Sequence, residues 1–247
     1  MISLLASIAL ASYVTSTAAH SWIEQMQVIG SNGSYVGDYG YPRGYVERTS
    51  PGFSDPLDLW QQPKGYFHLN GSEILCHPSQ RTANYSADYP RLNVSPGDYV
   101  AMKYQENGHV TQPWIKEGKP YGGGTIFVYG TYQPEPDTKL VDVLKWNGDG
   151  TGGNKQGWLM TAQNFDDERC HEISDAPISL FRAQANPNPI PGSDNAPFPQ
   201  WCETDLKIPE DVKGSSLTAY WVWQWNTAPE IGGGQDEYYI TCADFDV

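Results

Sequence analysis

Short runs rich in aromatic and β-branched residues recur along this chain, whereas helical periodicity is scarce. Each run is bounded by Gly, Pro or Asn, a pattern typical of β-strands separated by turns. The densest run, Leu217 to Trp225, predicts a central strand because its residues favour a pleated, packed surface. The runs that predict strands are Trp22–Ile29, Tyr99–Tyr104, Thr125–Tyr132, Ser216–Trp225 and Tyr238–Phe245.

The segments between these runs complete the predicted organisation. Pro177 to Pro199 is rich in Pro and Asn and predicts a long loop. Asp166 to Ile173 predicts one short helix. No internal repeat and no linker divides the chain. The pattern therefore predicts one all-β domain over 20–247, an immunoglobulin-like antiparallel β-sandwich with long loops.

The first 19 residues differ from the rest because they carry no charged side chain. An apolar stretch from Ile2 to Ala11 is followed by small residues up to Ala19, the pattern of a secretory signal peptide. A membrane anchor is the alternative, but a spanning helix needs about 20 apolar residues. Cleavage after Ala19 would make His20 the first residue of a secreted, extracellular protein.

Charge and composition narrow the function classes. The chain has 247 residues, a formal net charge of -14, and 29 acidic against 15 basic side chains. A nucleic-acid partner and an anionic membrane partner are both disfavoured, because each needs clustered Lys and Arg. Aromatic residues make up 13% and charged residues only 18%, which indicates a globular, packed chain. We expect a monomer.

Cysteines and glycosylation motifs agree with export. The four cysteines of the mature chain imply two disulfides with three possible connectivities. We predict Cys170–Cys202, closing a loop, and Cys76–Cys242, tying the last strand to an early segment. No two cysteines have the C-x-x-C spacing of a metal site, so metal binding by cysteine is not expected. Four Asn-x-Ser/Thr motifs predict glycosylation at Asn32, Asn70, Asn84 and Asn93.

Histidines supply the candidate chemistry. A free α-amine has a pKa of about 7.7–8.0 and can lose its proton to bind a metal. His20 could therefore chelate one ion with its amine and its imidazole, and a second imidazole would complete a nitrogen set suited to Cu(II). His109 is the best second ligand because it follows a strand and the Asn107-Gly108 turn. His68 is expected on a surface loop, and His77 and His171, each beside a cysteine, in structural positions.

Several motifs resemble known secreted proteins. A signal peptide ending before His20, an internal Gly-His after a strand, a Trp-rich late strand and the closing segment 238–247 look like a lytic polysaccharide monooxygenase. A closer resemblance, over nearly all of the mature chain, is to a fungal secreted domain of unknown function. It is carried by the motifs His20–Gln25, Arg43–Tyr45, Cys76–Pro78, Tyr104–Thr111 and Val128–Thr131.

The monooxygenase resemblance implies a histidine brace around one copper ion. His20 would bind through its amine and Nδ1, His109 through Nε2, and Tyr239, five residues before Asp244, would take the axial position. The resemblance also implies a Gln or Glu near the copper. The sequence does not choose among the candidates Gln163, Gln224 and Glu106.

The implied activity is oxidative cleavage of a polysaccharide such as cellulose, hemicellulose or chitin at C1 or C4. It would use an external electron donor with oxygen or hydrogen peroxide. A non-catalytic copper-binding protein for metal acquisition or cell-wall association is the alternative, and a metal-free carbohydrate-binding or wall protein is a third. A hydrolase is disfavoured because it needs two carboxylates flanking the bond, whereas Asp166 to Glu168 is a solvated acidic run.

Two regions bear on substrate access. A Gly-rich early loop carries four tyrosines that could form a flat sugar-binding face, although tyrosines are common in turn-rich secreted β-proteins. They are Tyr35, Tyr39, Tyr41 and Tyr45. The segment Asp137–Pro199 has no counterpart in the monooxygenases that the chain resembles, and it could cap the site.

Overall fold

A computed structural model of the chain describes residues 20–111, 117–185 and 200–247. Within them the strands are β1 (Gln25–Ile29), β2 (Tyr35–Gly40), β3 (Gln61–Gln62), β4 (Leu92–Asn93), β5 (Tyr99–Tyr104), β6 (Thr125–Thr131), β7 (Trp158–Asn164), β8 (Cys202–Lys207), β9 (Ser216–Gln224) and β10 (Tyr238–Asp246). The helices are α1 (Leu140–Val143) and α2 (Pro177–Ala185), with 3-10 turns at Asp55–Leu57, Pro78–Gln80 and Tyr121–Gly123.

These strands form two sheets that pack face to face. The smaller sheet has the order β2-β1-β5-β8, and the larger has the order β3-β10-β9-β6-β7. Neighbouring strands in both orders are antiparallel. The short strand β4 adds a parallel pairing to the end of β10. The predicted all-β, immunoglobulin-like antiparallel sandwich with long loops is therefore confirmed.

The strands predicted from the sequence match the observed ones closely. β5 has the predicted bounds, while β6, β9 and β10 differ from them by one residue at one end. The first strand starts at Gln25 rather than Trp22. β9 lies between β6 and β10 in the larger sheet, and seven of its nine residues are buried. Its aromatic and β-branched side chains are thus covered on both faces, as a central strand requires.

Two predictions about the middle of the chain were wrong. Pro177, expected to begin a loop, begins α2 instead, because proline is well accommodated in the first turn of a helix. Residues 186–199 of that predicted loop lie outside the described residues. Asp166 to Ile173 is irregular, with bends and an isolated bridge at His171, and it is not a helix. There Asp167 Oδ1 accepts the backbone N–H groups of Arg169 (2.9 Å) and Cys170 (2.8 Å), and such side-chain bonds compete with a helix.

The buried side chains form two clusters, one on each face of the larger sheet. The cluster between the sheets includes Met102, Trp221, Trp223, Tyr239 and Phe245. The second cluster lies on the outer face, where long loops and α1 cover Tyr220, Val222, Ile240 and Cys242, among others. Successive residues of β9 and β10 alternate between the two clusters, because strand side chains alternate between faces.

The disulfide prediction is confirmed. Cys76–Cys242 ties a covering loop to β10, and Cys170–Cys202 ties the segment after β7 to the start of β8. All four predicted glycosylation sites are exposed, and their occupancy stays a prediction. The predicted signal peptide, 1–19, lies outside the described residues. No helix in the described parts of the chain has the length and hydropathy to cross a bilayer.

Candidate metal centre

His20 lies at one end of the sandwich, just before β1. Its backbone carbonyl accepts a hydrogen bond from the side-chain amide of Asn107. Its ring centroid is 6.0 Å from that of Tyr239. Nδ1 is buried and has no hydrogen-bond partner among the described residues, and Asp55 Oδ2 lies 3.6 Å from it. A nitrogen in this state is chemically suited to a cation.

His109 reaches the same end of the sandwich through the turn that follows β5. Asn107 and Gly108 both have positive φ angles, 45° and 81°, which Asn and Gly adopt most readily. The turn places the Asn107 amide on His20 and directs His109 into the fold. The His109 side chain is 5% exposed and stands nearly perpendicular to two indole rings, Trp223 at 4.5 Å and Trp225 at 4.2 Å.

An aromatic pair on the two central strands connects the histidines. Trp223 of β9 and Tyr239 of β10 are cross-strand partners, and their rings stack at 4.6 Å. His20 lies beside Tyr239, and His109 packs on Trp223. The structure therefore places His20 and His109, which are distant in sequence, against the two members of one aromatic pair, Tyr239 and Trp223.

Tyr239 is held by a buried charge pair. Its hydroxyl donates to Glu237 Oε1 (2.5 Å), and Lys119 Nζ donates to Glu237 Oε2 (2.5 Å) and to the Trp225 carbonyl (2.8 Å). Burial, reinforced by the Glu237 carboxylate, raises the pKa of Tyr239 well above its ordinary value. The phenol is consequently neutral at physiological pH and directs its proton at Glu237.

Each of the three candidates for a Gln or Glu near the copper has a hydrogen-bond partner within the protein. The Glu106 carboxylate accepts the backbone N–H groups of Val110 (2.7 Å) and Thr111 (3.3 Å), fixing the loop that carries His109. Gln163 bonds the backbone of Asp205 and thereby links β7 to β8. Gln224 reaches the hydroxyl of Tyr238 at 3.4 Å.

Glu237 is the carboxylate that contacts Tyr239, and the sequence analysis missed it. A signal was available, because Glu237 and Tyr239 are two residues apart and residues at that spacing share a strand face. What the sequence could not show is Lys119, which is 118 residues away and only 4% exposed in its side chain. That cation allows a carboxylate to remain buried there.

Asp55, whose Oδ2 is 3.6 Å from His20 Nδ1, interacts electrostatically with two buried carboxyl groups, Glu24 and Asp58. Glu24 is 2% exposed and pairs with Arg48 Nε at 2.6 Å. Asp58 accepts the backbone N–H of Val46 (3.0 Å). Burial raises the pKa of Glu24, and burial raises that of Asp58 to about 7. Asp55 is therefore the carboxylate that places negative charge next to His20.

The other three histidines have local roles in the described structure. His68 is exposed and lies 3.5 Å from Asp236 Oδ2. His77 Nδ1 accepts the backbone N–H of Ser79 (3.1 Å) and caps a short turn. His171 is buried beside the Cys170–Cys202 disulfide, with Nδ1 3.3 Å from the Arg169 carbonyl. Asp167 approaches the same two cysteines, but their disulfide leaves no thiolate for a metal.

The early tyrosines do not form one face. Tyr41 and Tyr45 cluster with Tyr89, their centroids 5.1–5.2 Å apart. Tyr35 lies elsewhere, bonded to Glu203, and with Tyr39 it flanks Lys103.

A second aromatic surface lies closer to Tyr239. Tyr66 is 64% exposed and Phe67 71% exposed, and both line a cleft of about 520 Å³ with Gln61 and Gln235. Gln61 is the cross-strand partner of Tyr239, and the Phe67 carbonyl accepts the backbone N–H of Asp236 (2.7 Å). The cleft therefore adjoins the candidate metal centre.

These observations define a two-sheet β-sandwich with two histidines on one aromatic pair. The chain belongs to the family described as a domain of unknown function, DUF7492, whose model matches residues 17–247. No curated protein matches the chain.

Solved structures with similar chain arrangements include several monooxygenases. HiLPMO9B has 12% identity, a TM-score of 0.41, and coverage of 92% of this chain and 78% of its own. The extended catalytic domain of LPMO9A from H. jecorina has 15% identity, a TM-score of 0.39, and coverage of 92% and 73%. A cellulose-active polysaccharide monooxygenase from M. thermophila has 14% identity, a TM-score of 0.36, and coverage of 92% and 78%. At TM-scores below 0.5, these similarities assign neither an activity nor a site to this chain.

Proposed function

We propose that this protein is a secreted, copper-dependent lytic polysaccharide monooxygenase. The observation that carries the proposal is the convergence of His20 and His109 on the stacked pair Trp223 and Tyr239. The motif resemblance described above supports the same function. So do two disulfides and four exposed glycosylation motifs, which are typical of exported proteins.

The donor set fits copper. Removal of residues 1–19 would give His20 a free amine next to an Nδ1 that is buried without a hydrogen bond in the described structure. His20 and His109 would hold one ion through nitrogen atoms, the ligands that Cu(II) prefers in a tetragonal site. The bound copper would supply one-electron chemistry for activating oxygen or hydrogen peroxide, given an external electron donor.

The protein's own residues would orient and insulate this centre. Asn107 fixes the His20 backbone, and Trp223 and Trp225 fix the plane of the His109 ring. Glu237, whose charge is balanced by Lys119, accepts the hydrogen bond of the Tyr239 hydroxyl and so fixes the direction of its proton. A phenol that donates its proton in this way would be at most a weak ligand of a bound copper ion. Supporting contacts of this kind strongly affect metal affinity.

The cleft beside β3 is the best candidate for polysaccharide binding. Tyr66 and Phe67 expose their rings next to polar Gln61, Lys64 and Gln235. Sugar units have apolar C–H faces and polar edges, so they match a surface of aromatic rings with polar neighbours. An exposed aromatic patch on an otherwise polar protein also marks an interaction site.

The decisive experiment compares two forms of the protein that differ only at the N-terminus. One form begins at His20, and the other carries one extra alanine before it. We expect the first to bind one copper ion with a nitrogen-rich electron paramagnetic resonance spectrum, and the second to bind at least about 100-fold more weakly because the chelate ring is lost. Equal affinities would contradict the proposal.

Activity is tested separately from copper binding. The copper-loaded protein is incubated with cellulose, xylan or chitin, a reductant and hydrogen peroxide, and products are analysed by mass spectrometry. Oxidised oligosaccharides would support the monooxygenase. Tight copper binding without such products would favour the copper-acquisition or cell-wall protein, and sugar binding without copper binding would favour a carbohydrate-binding protein.

A further inference from the structure

Three of the six arginines of this acidic chain line one small cavity, far from the candidate metal centre. The cavity has a volume of about 310 Å³ and contains Arg43, Arg81 and Arg91. It lies at the opposite end of β9 and β10, beside Thr218 and Asp244. Asp244 follows Tyr239 by five residues, which corresponds to about 17 Å along a strand.

Arg43 forms the floor of this cavity and is fully engaged. It is 3% exposed and binds Asp244 through Nε (2.8 Å) and a terminal nitrogen (2.5 Å). Tyr85 and Thr218 add hydroxyl donors to the same carboxylate, at 3.0 and 2.6 Å. Despite the opposing effect of burial, Arg43 holds the pKa of Asp244 below its ordinary value. This network is electrically neutral and preorganised.

The other two arginines differ in whether they have an acidic partner. Arg91 donates to Asp246 Oδ1 at 2.8 Å. Arg81 makes no ion pair within the described residues, and its Nε is buried there without a hydrogen-bond partner. An unpaired buried donor is costly, and a guanidinium matches a carboxylate in geometry. Arg81 is therefore the side chain in this cavity that an anionic ligand would bind.

The charge balance selects a monoanion. The three arginines face Asp244 and Asp246, which leaves one positive charge in the cavity. A carboxylate would neutralise that charge, whereas a dianionic phosphate would leave an excess negative charge next to Asp244 and Asp246.

The remaining walls suit a sugar ring. Ala83, Tyr132, Pro134 and Pro136 offer apolar surface, and Thr82 and Ser216 add hydroxyl groups at the rim. The volume is near the lower end of the range for small-molecule pockets, about 300–1,000 Å³, so one sugar unit fits better than a chain. We propose that this cavity binds a single hexuronate unit, free or at the end of a polymer, with its carboxylate on Arg81.

The test is calorimetric titration of the whole secreted protein with glucuronate, with glucose, acetate and inorganic phosphate as comparison ligands. We expect glucuronate to bind more tightly than each of the other three. The Arg81→Gln variant should bind it at least about tenfold more weakly, since a hydrogen bond to a charged group is lost. Arg169→Gln removes an exposed arginine that pairs with Glu203 of β8 and does not line the cavity, and it should bind glucuronate normally.

Several outcomes would overturn the proposal. These are absence of glucuronate binding at millimolar concentration, equal binding by Arg81→Gln, tighter binding of phosphate, or acetate binding as tight as glucuronate. If Arg81→Gln does not fold, Ala83→Phe provides a second test. It fills the cavity without changing its charge, and undiminished glucuronate binding by this variant would equally contradict the site. The metal centre is not involved, so neither result depends on copper.

Discussion

The two ends of β9 and β10 use the same pair of strands in opposite ways. At one end Trp223 and Tyr239 face the space between the sheets, and two histidines pack on them. At the other end Thr218 and Asp244 face outward and close a polar network with Arg43. The Arg43–Asp244 network satisfies its buried charges within the chain. Beside it Arg81 Nε, and at the aromatic end His20 Nδ1, each have no hydrogen bond in the described structure. The comparison indicates a structural role for the Arg43–Asp244 network, next to the ligand site proposed at Arg81, and a ligand-binding role for the aromatic end.

The largest expected effect is on stability at the polar end. Asp244→Ala leaves the buried guanidinium of Arg43 without its partner, and we expect the free energy of unfolding to fall by about 3–5 kcal/mol in urea denaturation. Asp246→Ala is the matched control, because its ion pair with Arg91 is solvent-exposed and should cost about 1 kcal/mol or less. Similar decreases in the free energy of unfolding in both variants would show that the buried Arg43–Asp244 pair stabilises the fold no more than the exposed pair does.

The second effect is on copper at the aromatic end. His109→Ala should lower copper affinity by more than about 100-fold, beyond the 10–100-fold that is typical when a residue only supports a ligand. His68→Ala removes an exposed imidazole and should leave the affinity unchanged. Isothermal titration of the processed protein measures both. Loss of copper binding in the His68 variant alone would place the metal elsewhere.

A third prediction concerns pH and the carboxyl groups near His20. Burial raises the pKa of Asp58 from 3.8 to about 7, so folding favours its protonated form. Its contribution to stability is therefore full below about pH 4 and is lost as pH rises to about 7. Asp58→Asn keeps the acceptor for Val46 and removes the charge. We expect this variant to be more stable than the parent by about 1 kcal/mol or more above pH 7, and equally stable near pH 4.

Thermal unfolding across this pH range checks the Asp58 prediction. A stability difference that stays constant with pH would mean that folding does not raise the pKa of Asp58.

The smallest expected effect is on polysaccharide binding. Phe67→Ala should weaken binding to the insoluble polymer by about two- to tenfold, as expected for loss of one aromatic contact, with copper affinity unchanged. Phe181→Ala is the control, because Phe181 is 70% exposed on α2 and lies outside the cleft. Pull-down on cellulose and chitin provides the measurement. Equal loss in both variants would indicate non-specific adsorption rather than a binding face.

The sequence predicted the parts of the fold that are set by local composition. β5, β9 and β10 combine aromatic and β-branched residues, and their bounds were close to those observed. β2 was missed because most of its residues are exposed and its apolar alternation is weak. β7 was missed because Leu159, Met160 and Ala162 also suit a helix, and only pairing with β6 makes them a strand.

The candidate site, like the fold, has some features set by local sequence and others set by contacts between distant segments. His20, His109 and Tyr239 were proposed from local signals: a cleavage pattern, a turn and a position in the last strand. Their roles as copper ligands stay a prediction. The groups that support them, Lys119 on Glu237 and Trp225 on His109, depend on contacts between segments more than 100 residues apart. Periodicity and motif spacing carry no information about such contacts.

The disulfide between Cys76 and Cys242 lies on β10 between Tyr239 and Asp244. If β10 slid by a single residue along β9, every side chain would exchange faces. Tyr239 would then leave the space between the sheets and Asp244 would enter it. The aromatic pair with Trp223 and the polar network with Arg43 would both be disrupted. The covalent bond to Cys76 opposes such slippage, so one crosslink in mid-strand protects the alignment of two distant sites.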